Sequence, residues 1–221
     1  MIARGRITGI GPHGVTIMVP YDRRYLIREC SEVQVDIPDG RTISPEQRRK
    51  AYALMGEIAV WAGMTPDEVK LTQKHDFVER HLEGLHKQLF SLADCDMTTA
   101  REFINYLIEF VLEFDVPLRV PLVDLCDDIR KAVYACLLHK KCIVCGKPTE
   151  LHHVDRVGMG GDRHDMCHIG MDCLPLCRDH HREAHDHGDQ VLMDRYHLEP
   201  VQIDDKIARL YRLGKRKDTR P

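Results

Sequence analysis

Three cysteines and a histidine in the C-terminal third, Cys142, Cys145, Cys177 and His180, form two chelating arms, C-x-x-C and C-x-x-H. Tetrahedral zinc is commonly held in this way, each arm supplying two ligands from one tight turn. Ordinary buried cysteines explain a lone C-x-x-C equally well. They do not explain two matched arms, and Gly146, directly behind the first, permits the turn that arm needs. A unit of about fifty residues buries too little apolar surface to be stable unaided. Bound zinc would contribute folding free energy directly.

Inside this frame lie two more histidine pairs. His181 and His185 are four apart in a helical segment, so both imidazoles point to one face and can share a metal with a third ligand. His152 and His153 occupy a strand, where neighbours point to opposite faces. One can ligate while the other stays free, and the pleat alone does not say which. Nine of the fourteen histidines fall between His139 and His187. Of these, His164 and His168 read as solvent-exposed loop residues, whereas Cys173, alternating with Leu174 on a short strand, reads as core.

The stretch from Cys142 to about His187, about a fifth of the chain, resembles the HNH (ββα-metal) endonucleases, in the subtype with an added zinc-binding cysteine set found in many phage proteins. The resemblance implies that His152 is the first metal ligand, His153 the general base, and His181 and His185 the ligands on the helix of the ββα unit. Where the family has asparagine, five residues before the third zinc ligand, this chain has Asp172, and its single asparagine is the distant Asn105. Aspartate can orient a loop through hydrogen bonds or join a metal as an oxygen ligand, so the site reads as modified and not dead. The implied chemistry is phosphodiester hydrolysis. A divalent ion stabilises charge on the phosphate while neutral His153, with an ordinary pKa of about 6.5, takes a proton from water. The products would carry a 5′-phosphate and a 3′-hydroxyl. The outer site calls for Zn²⁺. Nitrogen-rich ligation suits Zn²⁺, Ni²⁺, Co²⁺ or Mn²⁺ better than Ca²⁺ at the inner one, and the family commonly works with Mg²⁺ or Mn²⁺.

The elements that must position these residues follow from composition and period. The chain has 221 residues, 43% hydrophobic and 30% charged, and reads as an ordinary soluble protein of two domains, 1–138 and 139–221. No run approaches a membrane span, and the N-terminus opens onto strand-like sequence instead of a signal peptide. Nine cysteines gathered around a metal site fit a reducing cytoplasm, that of a bacterial host if the gene is a phage's. A net charge of −3 means that any DNA contact must be local. Alternation predicts strands near Arg6–Ile10, Gly14–Pro20 and Glu32–Ile37. Cap and turn signals predict helices from Ser44 to Ala62, from Thr65, from about Phe77 to Phe90, from Thr99 to Phe114, from Leu122 to Leu138, and from Val201 to Leu213. The stripe Phe103, Tyr106, Phe110 and Phe114 reads as core or dimer packing. The fold class is α+β, with a small antiparallel sheet and helices followed by a zinc-stabilised ββα-metal domain.

The segment Asp39–Glu57 and the later stretch Ser91–Val116 resemble the helical core of the Orf (NinB) recombination mediators of lambdoid phages. That resemblance implies single-stranded DNA binding, contact with the host single-strand-binding protein, and a homodimer. Arg41, Arg48, Arg49 and Lys50 crowd a helix N-terminus, where cations oppose the macrodipole, which suits a surface that phosphates approach. Arg163 in the glycine-rich loop and Lys215, Arg216 and Lys217 in the basic tail are further candidate DNA contacts. Two functions compete: an endonuclease acting on single-stranded or branched recombination DNA, and a non-catalytic mediator whose zinc domain only binds DNA or a partner. The four inner histidines favour the enzyme, because a purely structural zinc domain needs only the outer set.

Overall fold

In the computed structural model, which describes residues 6–12, 14–19, 40–81, 89–154 and 168–213, the chain is α+β. Strands β1 (Arg6–Gly11) and β2 (Gly14–Met18) form an antiparallel hairpin that pairs Ile7 with Ile17 and Ile10 with Val15. The expected strand at Glu32–Ile37 lies outside the described residues, as do Arg163, His164, Lys215, Arg216 and Lys217.

Helix α1 (Pro45–Ala62) starts where its caps say it should. The Gln47 N–H donates to Ser44 Oγ at 3.1 Å and the Ser44 N–H donates to Gln47 Oε1 at 3.1 Å, with proline in the first turn. It ends at Gly63, whose φ of 66° is the left-handed conformation that glycine adopts without a Cβ clash. Buried Gln47 then reaches outward. Its Nε2 donates to Met97 O at 3.2 Å and to Asp127 Oδ2 at 2.8 Å, tying α1 to two later segments.

Four expectations need correction. No helix starts at Phe77: α2 (Pro66–His81) runs through it, because nothing between Glu68 and His81 breaks the apolar period of Val69, Phe77 and Val78. Helix α3 (Met97–Glu113) starts two residues before the expected Thr99 and is capped by Asp96. The carboxylate accepts both the Thr99 N–H at 2.8 Å and its hydroxyl at 2.6 Å. The helix expected from Leu122 to Leu138 is two, α4 (Leu122–Leu125) and α5 (Ile129–His139). Asp128 accepts the Lys131 N–H and restarts the helix, while Asp127 is taken by Gln47. Near the C-terminus, Val201–Gln202 becomes strand β5, and only α8 (Asp205–Leu210) is helical, begun by Asp204 accepting the Lys206 and Ile207 N–H groups.

A second sheet has the order β3 (Glu150–His153), β4 (Asp172–Leu176), β5, all antiparallel. Helices α6 (Arg178–His187) and α7 (Asp189–Tyr196) follow β4. Helix α5 lies between the two halves, packing on α3 and also on β4, β5 and α8. Its Cys136 and Leu137 have no exposed surface. Tyr134 Oη donates to Asp204 Oδ2 at 2.7 Å and Tyr211 Oη donates to Leu137 O at 3.0 Å. One apolar cluster therefore runs from Ile43 to Ile207. Phe103 and Tyr106 of the aromatic stripe are in it, while Phe114 is exposed beside Trp61. No described helix is long and apolar enough to cross a membrane.

A Leu137→Ala substitution should lower stability by about 2–5 kcal/mol, the cost of a core cavity. In a urea titration, Trp61 fluorescence from α1 and metal release from the cysteine cluster should shift to lower midpoints together; midpoints that move apart would show that α5 braces only one half.

Candidate metal centre

The first arm leaves α5 directly. Lys140 closes the helix in the left-handed conformation, and Cys142–Cys145 then turns tightly, the Gly146 N–H donating to Cys142 O at 2.8 Å with a φ of 69°. The Cys142 N–H donates to Lys147 O at 2.8 Å and the Ile143 N–H to Pro175 O at 3.1 Å, which fastens the turn to β4. The second arm is the first turn of α6, with Cys177 as its N-cap.

Ligand atoms of Cys142, Cys145, Cys177 and His180 all lie within 4.8 Å of one another. Cys177 Sγ is 3.2 Å from His180 Nδ1 and 3.5 Å from Cys145 Sγ, and Cys142 Sγ is 3.5 Å from His180 Nδ1. Burial raises the thiol pKa of Cys142 and Cys145. Burial works in the same direction on Cys177, but the His180 and Asp179 N–H groups at the helix start, with the neighbouring thiols, hold it below the usual range. Three sulfurs and an imidazole at tetrahedral spacing, one already biased toward thiolate, fit zinc. Outside the knuckle, burial pushes Cys173 up to about 12, as for an inert core cysteine.

A second group lies between β3 and α6. Ligand atoms of His152, His181 and His185 are within 4.8 Å of one another. The His181 and His185 ring centroids are 4.7 Å apart, as expected for positions four apart on one helix, and His152 stands 4.7 Å from His181. The pleat sorts the strand pair. His152 is 2% exposed and joins this group, while His153 Nε2 faces His168 Nδ1 at 2.9 Å on the other side. Burial, followed by the neighbouring His152 and His185, keeps the His181 imidazole below its usual range and so biased toward the neutral form that ligates. His152 Nδ1 is buried with no hydrogen-bond partner, whereas its Nε2 lies 2.8 Å from Asp189 Oδ1. A buried bare nitrogen costs about 1–3 kcal/mol, and a cation bound there would satisfy it.

Asp172 stands at the start of β4 and is not among the three grouped residues; its carbonyl accepts the Val154 N–H at 2.9 Å, directly after His153. His168, expected to be exposed, is 8% exposed and pairs with His153. Asp189 carries no signal in the sequence, and His168 is visible there only as one more loop histidine, because each acts across a gap of 15 or more residues that only folding closes.

The basic candidates sit elsewhere, at the head of α1. Arg48 donates through Nε to Leu92 O at 2.8 Å and through a second guanidinium nitrogen to Ala93 O at 2.6 Å, so it braces the 91–95 loop. Lys50 pairs with Glu46 at 2.9 Å. Arg41 and Arg49 are exposed there.

A family model described as "Putative HNHc nuclease" matches residues 20–214. Neither the curated proteins nor the solved structures compared with the chain contain a match.

Cys142→Ser should release zinc and unfold the C-terminal part, because it removes a ligand at the junction of α5 and the knuckle. His153→Ala should leave zinc bound and the circular dichroism unchanged; loss of metal from that variant, measured by metal analysis, would show that His153 ligates.

Proposed function

The chain belongs to the HNHc nuclease family, and on that premise we propose that it hydrolyses DNA phosphodiester bonds with a divalent ion held by His152, His181 and His185 and with His153 as general base. The buried, unpartnered nitrogen of His152 among three clustered imidazoles is the observation that supports it best. When bound, such an ion would supply Lewis-acid stabilisation of the charge that grows on the phosphate.

The protein's own groups do the rest. His153 lies next to the cluster but on the opposite face of β3, so it can take a proton from water without surrendering its nitrogen to the ion. His168 against its Nε2 orients the ring. Asp172, through its main-chain bond to Val154, fixes the end of the strand that carries both histidines, the role we assign to it in place of the family's asparagine. In this reading the β3–β4–α6 unit is a ββα-metal unit, and the Cys142, Cys145, Cys177 and His180 set is its structural zinc site.

For the substrate we propose single-stranded or branched recombination DNA in a bacterial cytoplasm. The N-terminal part, residues 1–138, would bind single-stranded DNA, and the whole chain would act as a homodimer. This rests on the Orf-like segments and on exposed Arg41 and Arg49 at the head of α1. The non-catalytic alternative leaves the inner histidines without a task.

Branched, single-stranded and duplex DNA incubated with the protein and Mg²⁺, Mn²⁺ or Ni²⁺ should be cleaved, and His153→Ala should slow cleavage by roughly 10²–10⁴-fold, the usual worth of a general base. Asp172→Asn should keep or raise the rate. Cleavage of none of these substrates would favour the non-catalytic reading, and loss of both activity and the second metal in Asp172→Asn would make the aspartate a ligand.

A further inference from the structure

The histidine cluster has a neighbour that the nuclease chemistry above does not use. Asp189, the first residue of α7, lies 37 residues from His152 in sequence, yet its Oδ1 is 2.8 Å from His152 Nε2. His152 is 2% exposed and Asp189 27%, so the contact is sheltered on the histidine side and partly open on the carboxylate side. A carboxylate without its proton can only accept, so this contact requires the proton of a neutral His152 to be on Nε2. The other ring nitrogen, Nδ1, is then bare, and it is the buried atom with no partner. Asp189 is outside the set of ligand atoms that lie within 4.8 Å of one another, and that set contains only the three imidazoles.

We infer that Asp189 is a positioning residue for metal binding: it holds His152 as the Nε2–H tautomer and turns Nδ1 toward the ion shared with His181 and His185. The inference rests on the metal-site reading given above. The physical reason is general. A ligating imidazole must present a lone pair, and a carboxylate on its far nitrogen both selects the tautomer and raises the basicity of the near one. Without that acceptor, His152 populates both tautomers, and the one with Nδ1–H cannot ligate through the nitrogen that is bare in this structure.

The placement explains the turn after α6. That helix stops at Gly188, whose φ of 95° suits glycine, and α7 begins at the next residue. With the helix broken at Gly188, Asp189 stands beside His152 of β3. Leu192 of α7, 1% exposed, anchors the short helix in the core and so keeps the carboxylate in place.

The test uses the full chain with its cysteine site loaded with zinc. Ni²⁺ is titrated calorimetrically into wild type, Asp189→Ala and His185→Ala, with zinc content followed by metal analysis. Long-range ¹H–¹⁵N spectra taken without Ni²⁺ report the His152 tautomer. Wild type should bind Ni²⁺ and show Nε2–H, and His185→Ala should lose Ni²⁺ binding. Asp189→Ala should bind Ni²⁺ roughly 10- to 100-fold more weakly, retain zinc, and show His152 shifted toward Nδ1–H. Should the alanine variant fail to fold, Asp189→Leu, which is of similar length and offers no hydrogen-bond acceptor, serves in its place and should weaken Ni²⁺ binding in the same direction. Unchanged Ni²⁺ affinity in the Asp189 variant, with wild type binding normally, overturns the positioning role alone. Lost affinity with an unaltered tautomer also overturns it and makes Asp189 a ligand. Absence of Ni²⁺ binding by wild type brings down the metal-site reading itself, and this inference with it.

Discussion

The cluster of Cys142, Cys145, Cys177 and His180 is the constraint on which the rest of the C-terminal structure depends. It joins the end of α5 to the first turn of α6, two points that are 32 or more residues apart. Because Cys177 is the N-cap of α6, holding its sulfur fixes where that helix begins and how it is rotated. His181 and His185 are four and eight residues on, so their direction is inherited from the cysteine site. The Ile143 N–H bond to Pro175 O secures the same junction through β4, and β4 in turn carries β3 and its two histidines. A small displacement of the knuckle would move every imidazole of the inner cluster. Lys147 and Asp179, exposed and 3.0 Å apart, bridge the two arms on the outside, where solvent screening makes the pair worth little.

The knuckle needs a firm base, and α5 provides it. A helix of this length is marginal in isolation and depends on packing. Here α3 covers one side, and β4, β5 and α8 cover the other. Polar ties reinforce the apolar contact where mispairing would be costly: Tyr134 to Asp204, Tyr211 to the Leu137 carbonyl, and Gln47 to Asp127 just ahead of the α5 cap. The helical half, whatever it binds, is thus mechanically part of the support for the metal centre.

The inner cluster also shows a division of labour between burial and charge. Burial and neighbouring imidazoles favour neutral His181, while Glu150 and Asp189 pull the other way. A neutral His181 can accept a cation without first expelling a proton, and the carboxylates nearby offset part of the charge that arrives.

Much of this was legible in the residues alone. The two arms of the Cys142, Cys145, Cys177 and His180 cluster, the turn at Gly146, the α1 capping box and the shared face of His181 and His185 follow from local chemistry over a few residues, where spacing determines geometry. The extent of α2, the Asp96 cap and the split of α4 from α5 were also local, yet ambiguous, because several acceptors competed for the same helix starts and tertiary partners such as Gln47 chose among them. What strand alternation left open and the tertiary structure decides is which of His152 and His153 faces the helix, and it alone shows that Asp189 and His168 stand against them. Strand alternation offers two faces without saying which is inside; that is settled only when α6 and its two histidines cover one of them, since the buried face must match the partners that folding brings from 15 to 37 residues away.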